Sequence, residues 1–388
     1  MKYILIFIFL SLLCSCTQQK QHEDPSLLFV DIDNKTNDFY VLFDSVKLTP
    51  LEITDQSLIG RVDKIFDLDS LWIILDSKLQ IPKAFDKKGT FLHQYGAIGG
   101  GPGEYPEVYD IGIDKQNQEI ILLSPWGDAQ KYTVRGQFIS SVELPYAPAY
   151  HRIFRFNGDR WVIWTLPSNK ESVGLQVLDD SFNVIYTAQP FDHVYSDLGF
   201  QATNFSTDGE KLYIQGQFSR QVYEIGPDSL SKSYLWDFGK HNVKEEAYKA
   251  YSDDPITDPG AYFEKQKKYL NDENLRWRIS GPLNNSKYRH ISYTKSGVRS
   301  PDGKTLIEPF YTLHIFTDKK SGESVVVNNF SQIPFRGSSF LMDDEKVSFI
   351  IKNEDIDAFR NFAINGDILE GFDPDESNPV IATFYFKK

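Results

Sequence analysis

Short apolar runs recur along the whole chain, and each is bounded by polar or turn-forming residues. The clearest runs cover 71–75, 119–123, 160–164, 211–214 and 346–351, and they are rich in Ile, Leu, Val and aromatic residues. Such runs are too short for ordinary helices and have the composition of strands. The pattern therefore predicts many short β-strands joined by turns.

A second pattern is superimposed on the first. A strand ends at an aromatic or aliphatic anchor, a polar turn often containing Gly follows, and a second apolar strand returns; residues 84–92 are the clearest copy. Each copy predicts a hairpin in which the anchor points into the core and Gly tolerates positive φ. The anchors of the six copies are Phe85, Tyr132, Leu178, Tyr223, Phe316 and Phe362.

The spacing of these anchors predicts the architecture. Successive anchors lie roughly 46 residues apart, except for one gap of about twice that length between Tyr223 and Phe316. Because further strands precede several copies, each period holds three to four strands. A period in the forties built from short strands is typical of a β-propeller, whereas a sandwich would not repeat one phrase so evenly. We predict an all-β fold, a six-bladed β-propeller over residues 38–388.

The long gap predicts an insertion and not a seventh blade. Residues 243–251 and 261–270 have helix-like composition and spacing, and the segment between them contains two Asp-Pro breaks. We expect a helical insertion at about 242–276, between the fourth and fifth repeat hairpins. Its Tyr251 and Tyr262 are candidate ligand-binding residues, with packing against the scaffold as the alternative.

A propeller also needs its first and last blades joined, because an open sheet edge would otherwise remain. Residues 39–43 and 46–53 near the N-terminus, and 379–386 at the C-terminus, are both strand-like. We predict that these segments meet in one blade.

The first sixteen residues predict a secretory signal. Lys2 precedes an apolar run at 3–13 that is too short to span a bilayer. The following Leu13-Cys14-Ser15-Cys16 resembles the bacterial lipoprotein box, which implies lipid attachment at Cys16; an ordinary secretory peptide is the alternative. Residues 17–37 are then expected to form a polar tether. Both cysteines lie in the signal, so the predicted mature domain has no thiol.

A family resemblance supports these expectations. Residues 85–92, followed by the Gly-Gly-Gly-Pro-Gly-Glu-Tyr phrase at 99–105, resemble NHL-type repeats, specifically the six-bladed β-propeller lipoproteins common in Bacteroidetes. The repeat pattern covers roughly residues 40–386, although the fourth and fifth copies are degenerate and only the first carries the full phrase. The resemblance implies the fold and an outer-membrane, periplasmic or surface location, but no particular reaction.

Composition and charge narrow the classes of partner. The chain has 54 acidic and 41 basic residues, a formal net charge of −13 and no basic stretch. Phosphate backbones require clustered Lys and Arg, so we predict no nucleic-acid partner. The aromatic content of 14% is high, and the recurring hairpin anchors account for part of it.

Known catalytic and metal-binding motifs do not occur in the sequence. Gly99–Gly103 lacks the Lys and Ser/Thr of a P-loop, and we expect it to be a tight connection between blades. There is no His-Glu-x-x-His, no Gly-x-Ser-x-Gly and no complete EF-hand loop, so we predict no metal and no cofactor. The remaining ligand-binding candidates are Glu104 and Tyr105 after the glycines, and Trp126 in a turn.

These observations lead to two functional hypotheses. The first is an outer-membrane-anchored, non-catalytic propeller that binds a glycan, a peptide or an envelope protein through its loops and the helical insertion. The alternative is a propeller enzyme acting on glycans or lactones (a glycoside hydrolase, a lyase or a Ca²⁺-dependent lactonase) with carboxylates and a His around the central channel. Propellers host both classes, so fold alone does not separate them.

Overall fold

The computed structural model describes residues 26–388 apart from several gaps. The gaps are 69, 77, 126, 145–149, 166–173, 192–202, 217, 245–246, 248–260, 262–263, 265–267, 269–271, 274–275, 301–304, 310, 329–339, 352–354 and 374–375.

In the described part of the chain, the strands form six antiparallel blades, as predicted. Blade 1 comprises β4 (Val62–Leu68), β5 (Leu71–Asp76), β6 (Lys83–Asp86) and β7 (Phe91–Gln94). Blade 2 comprises β10 (Asp110–Asp114), β11 (Glu119–Leu123), β12 (Asp128–Thr133) and β13 (Phe138–Glu143). Blade 3 comprises β14 (Tyr150–Phe156), β15 (Arg160–Thr165), β16 (Leu175–Leu178) and β17 (Val184–Ala188).

The second half of the propeller is built in the same way. Blade 4 comprises β18 (Thr203–Asp208), β19 (Lys211–Gly216), β20 (Gln221–Ile225) and β21 (Leu230–Asp237). Blade 5 comprises β22 (Trp277–Asn284), β23 (Tyr288–Lys295), β26 (Tyr311–Asp318) and β27 (Ser324–Val327). Blade 6 comprises β28 (Phe340–Met342), β29 (Lys346–Ile350), β30 (Val380–Phe386) and, on its outer edge, β3 (Phe43–Pro50). Two small pairs lie in the connections: β8 (Ala97–Ile98) with β9 (Glu104–Tyr105), and β24 (Val298–Arg299) with β25 (Leu306–Glu308).

The first strands of neighbouring blades contact one another, which places them around the central axis: β10 contacts β14, β22 contacts both β18 and β28, and β28 contacts β4. Hydrophobic clusters fill the spaces between neighbouring blades. The period-2 alternation of each strand sends successive side chains to the two neighbouring blades.

The closure prediction is confirmed. The N-terminal strand β3 pairs antiparallel with the C-terminal strand β30, with Val46 opposite Phe384 and Pro50 opposite Val380. Residues 39–43 are not a continuous strand, however, because Phe39–Val41 forms a 3-10 helix whose Phe39 is fully buried against blade 6.

The folded chain begins earlier than the predicted tether boundary at residue 37. The short strand β1 (Leu27–Phe29) adds in parallel to the outer edge of blade 4, and β2 (Lys35–Thr36) adds in parallel to the outer edge of blade 5. Between them Val30 and Ile32 are buried. Residues 26–36, which we call the strap, therefore belong to the scaffold.

Five of the six predicted anchors lie on the third strand of a blade and are mostly buried, but the sixth prediction is wrong. Phe362 ends an α-helix, α1 (Ile356–Phe362), and a 3-10 helix at Gly366–Leu369 follows it. The third strand of blade 6 is β30, and the fully buried Phe384 lies there. A long connection between β29 and β30 carries the helical residues, and its Phe-x-Ile-x-Gly sequence imitates a hairpin.

The connections differ at the two ends of the blades. At one end, the turn end, the first strand joins the second and the third joins the fourth through two to five residues. At the other, the loop end, the connections run to segments as long as 238–276, 296–310 and 351–379. The segment with the predicted helical insertion, at about 242–276, is the longest of these. Its described residues Ala247, Ala261, Glu264 and Lys268 are helical, and most of the two segments predicted to be helical lies outside the described residues.

Candidate functional site

A pocket of about 300 Å³ opens at the loop end of blade 5. The strap forms one wall, the starts of β22 and β26 and the end of β23 form the others, and the β24–β25 hairpin supplies its last residues. Its lining residues are Ile32, Asp33, Lys35, His241, Arg276, Trp277, Lys295, Glu308, Pro309, Tyr311 and Leu313. The volume lies at the lower end of the range for small-ligand sites, about 300–1,000 Å³.

One side of the pocket is an aromatic stack. The ring of Trp277 stacks on Tyr293 at a centroid distance of 4.7 Å, and Tyr293 stacks on Phe238 at 4.0 Å. Tyr311 meets Trp277 edge-on at 6.4 Å. Trp277 and Tyr311 are the first residues of β22 and β26, so alternation places them on the same faces as the buried Ile279 and Leu313. Trp277 and Tyr311 themselves are only partly buried, and they offer the pocket a rigid aromatic surface.

Arg276 lines the pocket and is held in place by several contacts. Its side chain is only 4% exposed, and its guanidinium pairs with Glu308 and with Glu273, the latter at 3.0 Å from Nη1 to Oε1. The same guanidinium donates to the carbonyl of Ser296, whose N–H in turn donates to the carbonyl of Arg276. Hydrogen bonding to Arg276 lowers the pKa of Glu308, so this carboxylate stays ionised.

The second carboxylate, Asp33, lies on the strap and is also paired. Lys240 Nζ lies 2.8 Å from one of its oxygens and His241 Nε2 lies 3.1 Å from the other. These hydrogen bonds, led by that of Lys240, lower the pKa of Asp33. A glycosidase needs one carboxyl group whose pKa is raised so that it can act as a general acid. Neither lining carboxylate has this property.

Two lysines of the pocket have a different environment. Neither Lys35 nor Lys295 forms an ion pair with a carboxylate of the described residues within 4 Å; Lys295 acts on Glu308 only through longer-range attraction. Lys35 Nζ lies 5.1 Å from the centroid of the Tyr311 ring. The hydroxyl of Tyr311 is buried and has no hydrogen-bond partner within the described part of the chain. Lys35 and Lys295 thus line the pocket without a carboxylate partner among the described residues.

Sequence comparison assigns the family. A family model described as "Domain of unknown function (DUF4934)" matches residues 29–385. The chain belongs to the DUF4934 family. No curated protein matches its sequence.

Solved structures similar to this DUF4934 protein share its propeller fold. One is the crystal structure of a "Putative exported protein" from Bacteroides fragilis, with a TM-score of 0.74, 15% identity and coverage of 93% of this chain and 100% of that one. Another is a member of the duf4221 family from Bacteroides vulgatus, with a TM-score of 0.58, 11% identity and coverage of 89% and 97%. At these identities the likeness concerns the fold alone.

The structure places two of the sequence-predicted ligand residues of this DUF4934 protein in the connection between blades 1 and 2. Tyr105 is 1% exposed and its hydroxyl donates to the carbonyl of Tyr95 at 2.8 Å, which gives it a structural role. Glu104 is exposed, but its Oε2 accepts a hydrogen bond from the N–H of Gly101 at 2.8 Å. Neither residue lines the blade 5 pocket. The glycine-rich segment is an inter-blade connection, as expected.

The other predicted residues lie outside the described part of the chain: Trp126, Tyr251, Tyr262 and the predicted lipidation site Cys16. By their positions in the sequence, Trp126 belongs to the β11–β12 connection, and Tyr251 and Tyr262 belong to the β21–β22 connection. Both connections start and end at the loop end, where the pocket also lies.

Sequence reasoning missed the residues that build the pocket. Arg276 is the last residue of the predicted helical insertion and Trp277 follows it, but no repeat or motif marks them. Lys35 fell within the predicted tether, and Lys295 and Tyr311 were not among the sequence-predicted site residues. Only the pairing of β2 with blade 5 brings Lys35 to this site, and such long-range pairing has no local sequence signal.

The inner strand β10 carries a buried carboxylate, Asp110, that joins neighbouring blades. Asp110 on β10 is fully buried, pairs with Lys64 of blade 1 and accepts the N–H of Ile153 of blade 3 at 2.9 Å. Its role is to join three blades. Across the described residues, no group of three His, Cys, Asp or Glu side chains is placed to hold a metal ion. Nor is any helix in those ranges long and apolar enough to cross a membrane.

Proposed function

We propose that this protein is a lipid-anchored binding protein of the outer membrane that holds a saccharide in the blade 5 pocket and catalyses no reaction on it. The observation that carries the proposal is the partly exposed aromatic pair of Trp277 and Tyr311 beside fixed polar groups. Sugar rings present apolar C–H faces to aromatic rings and hydroxyl groups to polar side chains, and ligand sites combine these two kinds of surface.

The rigidity of the pocket supports binding. Tyr293 and Phe238 hold Trp277 from behind, and Arg276 is fixed by Glu273, Glu308 and the Ser296 carbonyl. A preorganised site binds more tightly because fewer side chains lose freedom when the ligand arrives. The ionised state of both lining carboxylates supports a binding role over a glycosidase role.

Two observations support a location in the cell envelope: the predicted signal and a structural neighbour. A structural neighbour is called an exported protein, and the N-terminal sequence resembles a lipoprotein signal. The strap connects the predicted tether directly to the pocket wall, since Asp33 and Lys35 lie within twenty residues of Cys16. An anchored protein would therefore hold its pocket near the point where the tether leaves the propeller.

Binding is tested with a glycan array, followed by calorimetry on the best saccharide. We expect Trp277→Ala to weaken binding at least tenfold, about 1.4 kcal/mol, because the stacking surface is lost. The matched control is Phe138→Ala, which truncates a similarly part-exposed aromatic residue on blade 2. Equal affinity of wild type and Trp277→Ala, or no saccharide binding at all, contradicts the proposal.

Lipid attachment is tested by growing cells with an alkyne-labelled fatty acid. Wild type and Cys14→Ser should incorporate the label, whereas Cys16→Ser should not, since only Cys16 occupies the lipoprotein-box position. Label in Cys16→Ser, or none in wild type, rejects the anchor.

A further inference from the structure

In the blade 5 pocket the carboxylates are paired with cations, whereas two lysines are not paired with carboxylates of the described residues. Its two carboxylates are each engaged by a cation: Asp33 by Lys240 and His241, and Glu308 by Arg276. Lys35 and Lys295 have no such partner among the described residues. The protein has a net charge of −13, and yet the ammonium groups of Lys35 and Lys295 lie at this site outside its ion pairs.

We propose that the saccharide bound here is acidic, with its anionic substituent held between Lys35 and Lys295. The inference rests on the proposed function and narrows its ligand class. Lys35 borders the pocket from the strap and Lys295 from the end of β23, so the two ammonium groups approach from different walls. A sugar ring on Trp277 and Tyr311 lies between these walls.

Desolvation explains the selectivity. A ligand that fills the pocket removes water from both ammonium groups, and burying an unpaired charge is costly. A neutral sugar leaves that cost uncompensated, whereas a carboxylate or sulfate pairs with the lysines.

Competition inside the pocket does not cancel this attraction. Asp33 and Glu308 would repel an anion if they were free, but Asp33 is paired with Lys240 and His241, and Glu308 shares Arg276 with Glu273. Arg276 is only 4% exposed, and its guanidinium N–H groups donate to Glu273, Glu308 and the carbonyl of Ser296. The lysines are therefore the groups that remain for a ligand anion.

The test compares pairs of ligands that share a backbone and differ in charge. Calorimetry at low salt measures binding of an oligogalacturonate and its methyl ester, and of a chondroitin oligosaccharide with and without its sulfates, to the purified protein. We expect an anionic oligosaccharide to bind at least tenfold more tightly than the ester, and this advantage to shrink as salt rises. Tighter binding of the sulfated chondroitin than of its unsulfated form identifies the substituent as a sulfate, and equal binding of the two identifies it as the uronate carboxylate.

Lysine variants locate the contact. Lys35→Met and Lys295→Met keep the length of the side chain and should each reduce the acidic preference at least fivefold, whereas Lys320→Met at the turn end should leave it unchanged. Equal binding of the ester and the acid overturns the acidic inference but leaves saccharide binding intact. Acidic binding that is insensitive to both pocket lysines also overturns it. Failure of every saccharide on the array, neutral ones included, rejects the proposed function itself.

Discussion

Blade 5 holds a lysine near each of its two ends, and the two are used differently. At the turn end, Lys319 is 15% exposed and pairs with Asp208 of blade 4 at 2.5 Å while also donating to the Asn285 carbonyl. At the loop end, Lys295 pairs with no carboxylate of the described residues. Lys319 at the turn end thus joins two blades, whereas Lys295 at the loop end lines the pocket.

Other contacts at the turn end follow the same rule. Asn285 Nδ2 donates to the Asp343 carbonyl of blade 6 at 2.8 Å, and Lys346 of blade 6 pairs with Asp67 of blade 1 at 3.2 Å. Within single turns, Asp86 and Asp179 accept backbone N–H groups of their own hairpins. These bonds stabilise the ring of blades. We therefore expect turn-end substitutions to change stability and loop-end substitutions at blade 5 to change binding.

The largest effect should come from removing the closing strand, on which both ends depend. Strand β30 lies between β29 and β3, and its Phe384 is fully buried. Deleting residues 378–388 opens the ring and should abolish cooperative unfolding in a thermal melt. The milder Phe384→Ala should lower the free energy of unfolding by about 3–5 kcal/mol. An unchanged melt after the deletion would show that closure does not hold the propeller together.

A single glycine at the turn end should have the next largest effect. Gly89 has φ +92°, and a Cβ there would lie 2.0 Å from the carbonyl oxygen of Pro50, the last residue of β3. Gly89→Ala should cost about 2–4 kcal/mol, from the backbone conformation and the clash together. Gly322→Ala is the matched control, because its φ is +74° but nothing lies within 4 Å of its Cβ. Chemical denaturation measures the free energy of unfolding of both variants. Equal losses in the two would show that the contact with Pro50 contributes nothing to the effect.

Lys319 and Lys295 of blade 5 allow the sharpest test of whether the turn end stabilises the fold and the loop end does not. Lys319→Met should lower the free energy of unfolding by about 1.5–3 kcal/mol, because the charge-assisted bonds between blades are lost. Lys295→Met should change it by less than about 0.5 kcal/mol, as for an ordinary surface substitution. Denaturant titration of both variants provides the comparison. A larger loss for Lys295→Met than for Lys319→Met would reverse the assignment of roles.

The last effect depends on pH and concerns a buried histidine pair on β23 and β26 of blade 5. His290 Nε2 lies 3.2 Å from His314 Nδ1, and both rings are nearly inaccessible. Burial, together with His314, lowers the pKa of His290 well below 6.5. The unfolded chain therefore binds the proton more readily, so this contribution to stability is complete above about pH 6.5 and decreases as the pH falls.

The slope should approach about 1.4 kcal/mol per pH unit below pH 6.5 for one histidine. His290→Gln should reduce this slope in denaturation curves measured between pH 5 and 7. The pKa of His93 is also lowered by burial, so some slope should remain in the variant. A wild-type stability that is flat across this range would contradict the assignment.

The sequence predicted much of the scaffold because its signals are local. Alternating strands, turn glycines and five of the six anchors mark the blades, and strand-like termini marked the closure. The sixth anchor failed because a Phe-x-Ile-x-Gly phrase in a helical connection has the same composition as a hairpin. The strap was missed because its parallel pairing with two outer strands depends on partners about 200 and 290 residues away.

The candidate site was less predictable for a related reason. Its residues come from five separate segments, and each reads alone as an ordinary strand end or tether. Tyr105 was a candidate because it follows the glycine-rich segment, but it packs in the core, since a buried ring and a ligand-facing ring look alike in sequence. Only the assembled blade shows which rings and which lysines remain available.

Hydrogen–deuterium exchange with and without the acidic saccharide selected by calorimetry tests the central claim most directly. The account predicts slower exchange in the strap around 31–36 and in the blade 5 segments 276–279, 293–296 and 306–313, with no change in the turns at 285–287 and 319–323. Protection confined to the turn end, or spread evenly over all six blades, would contradict the separation between a structural end and a binding end.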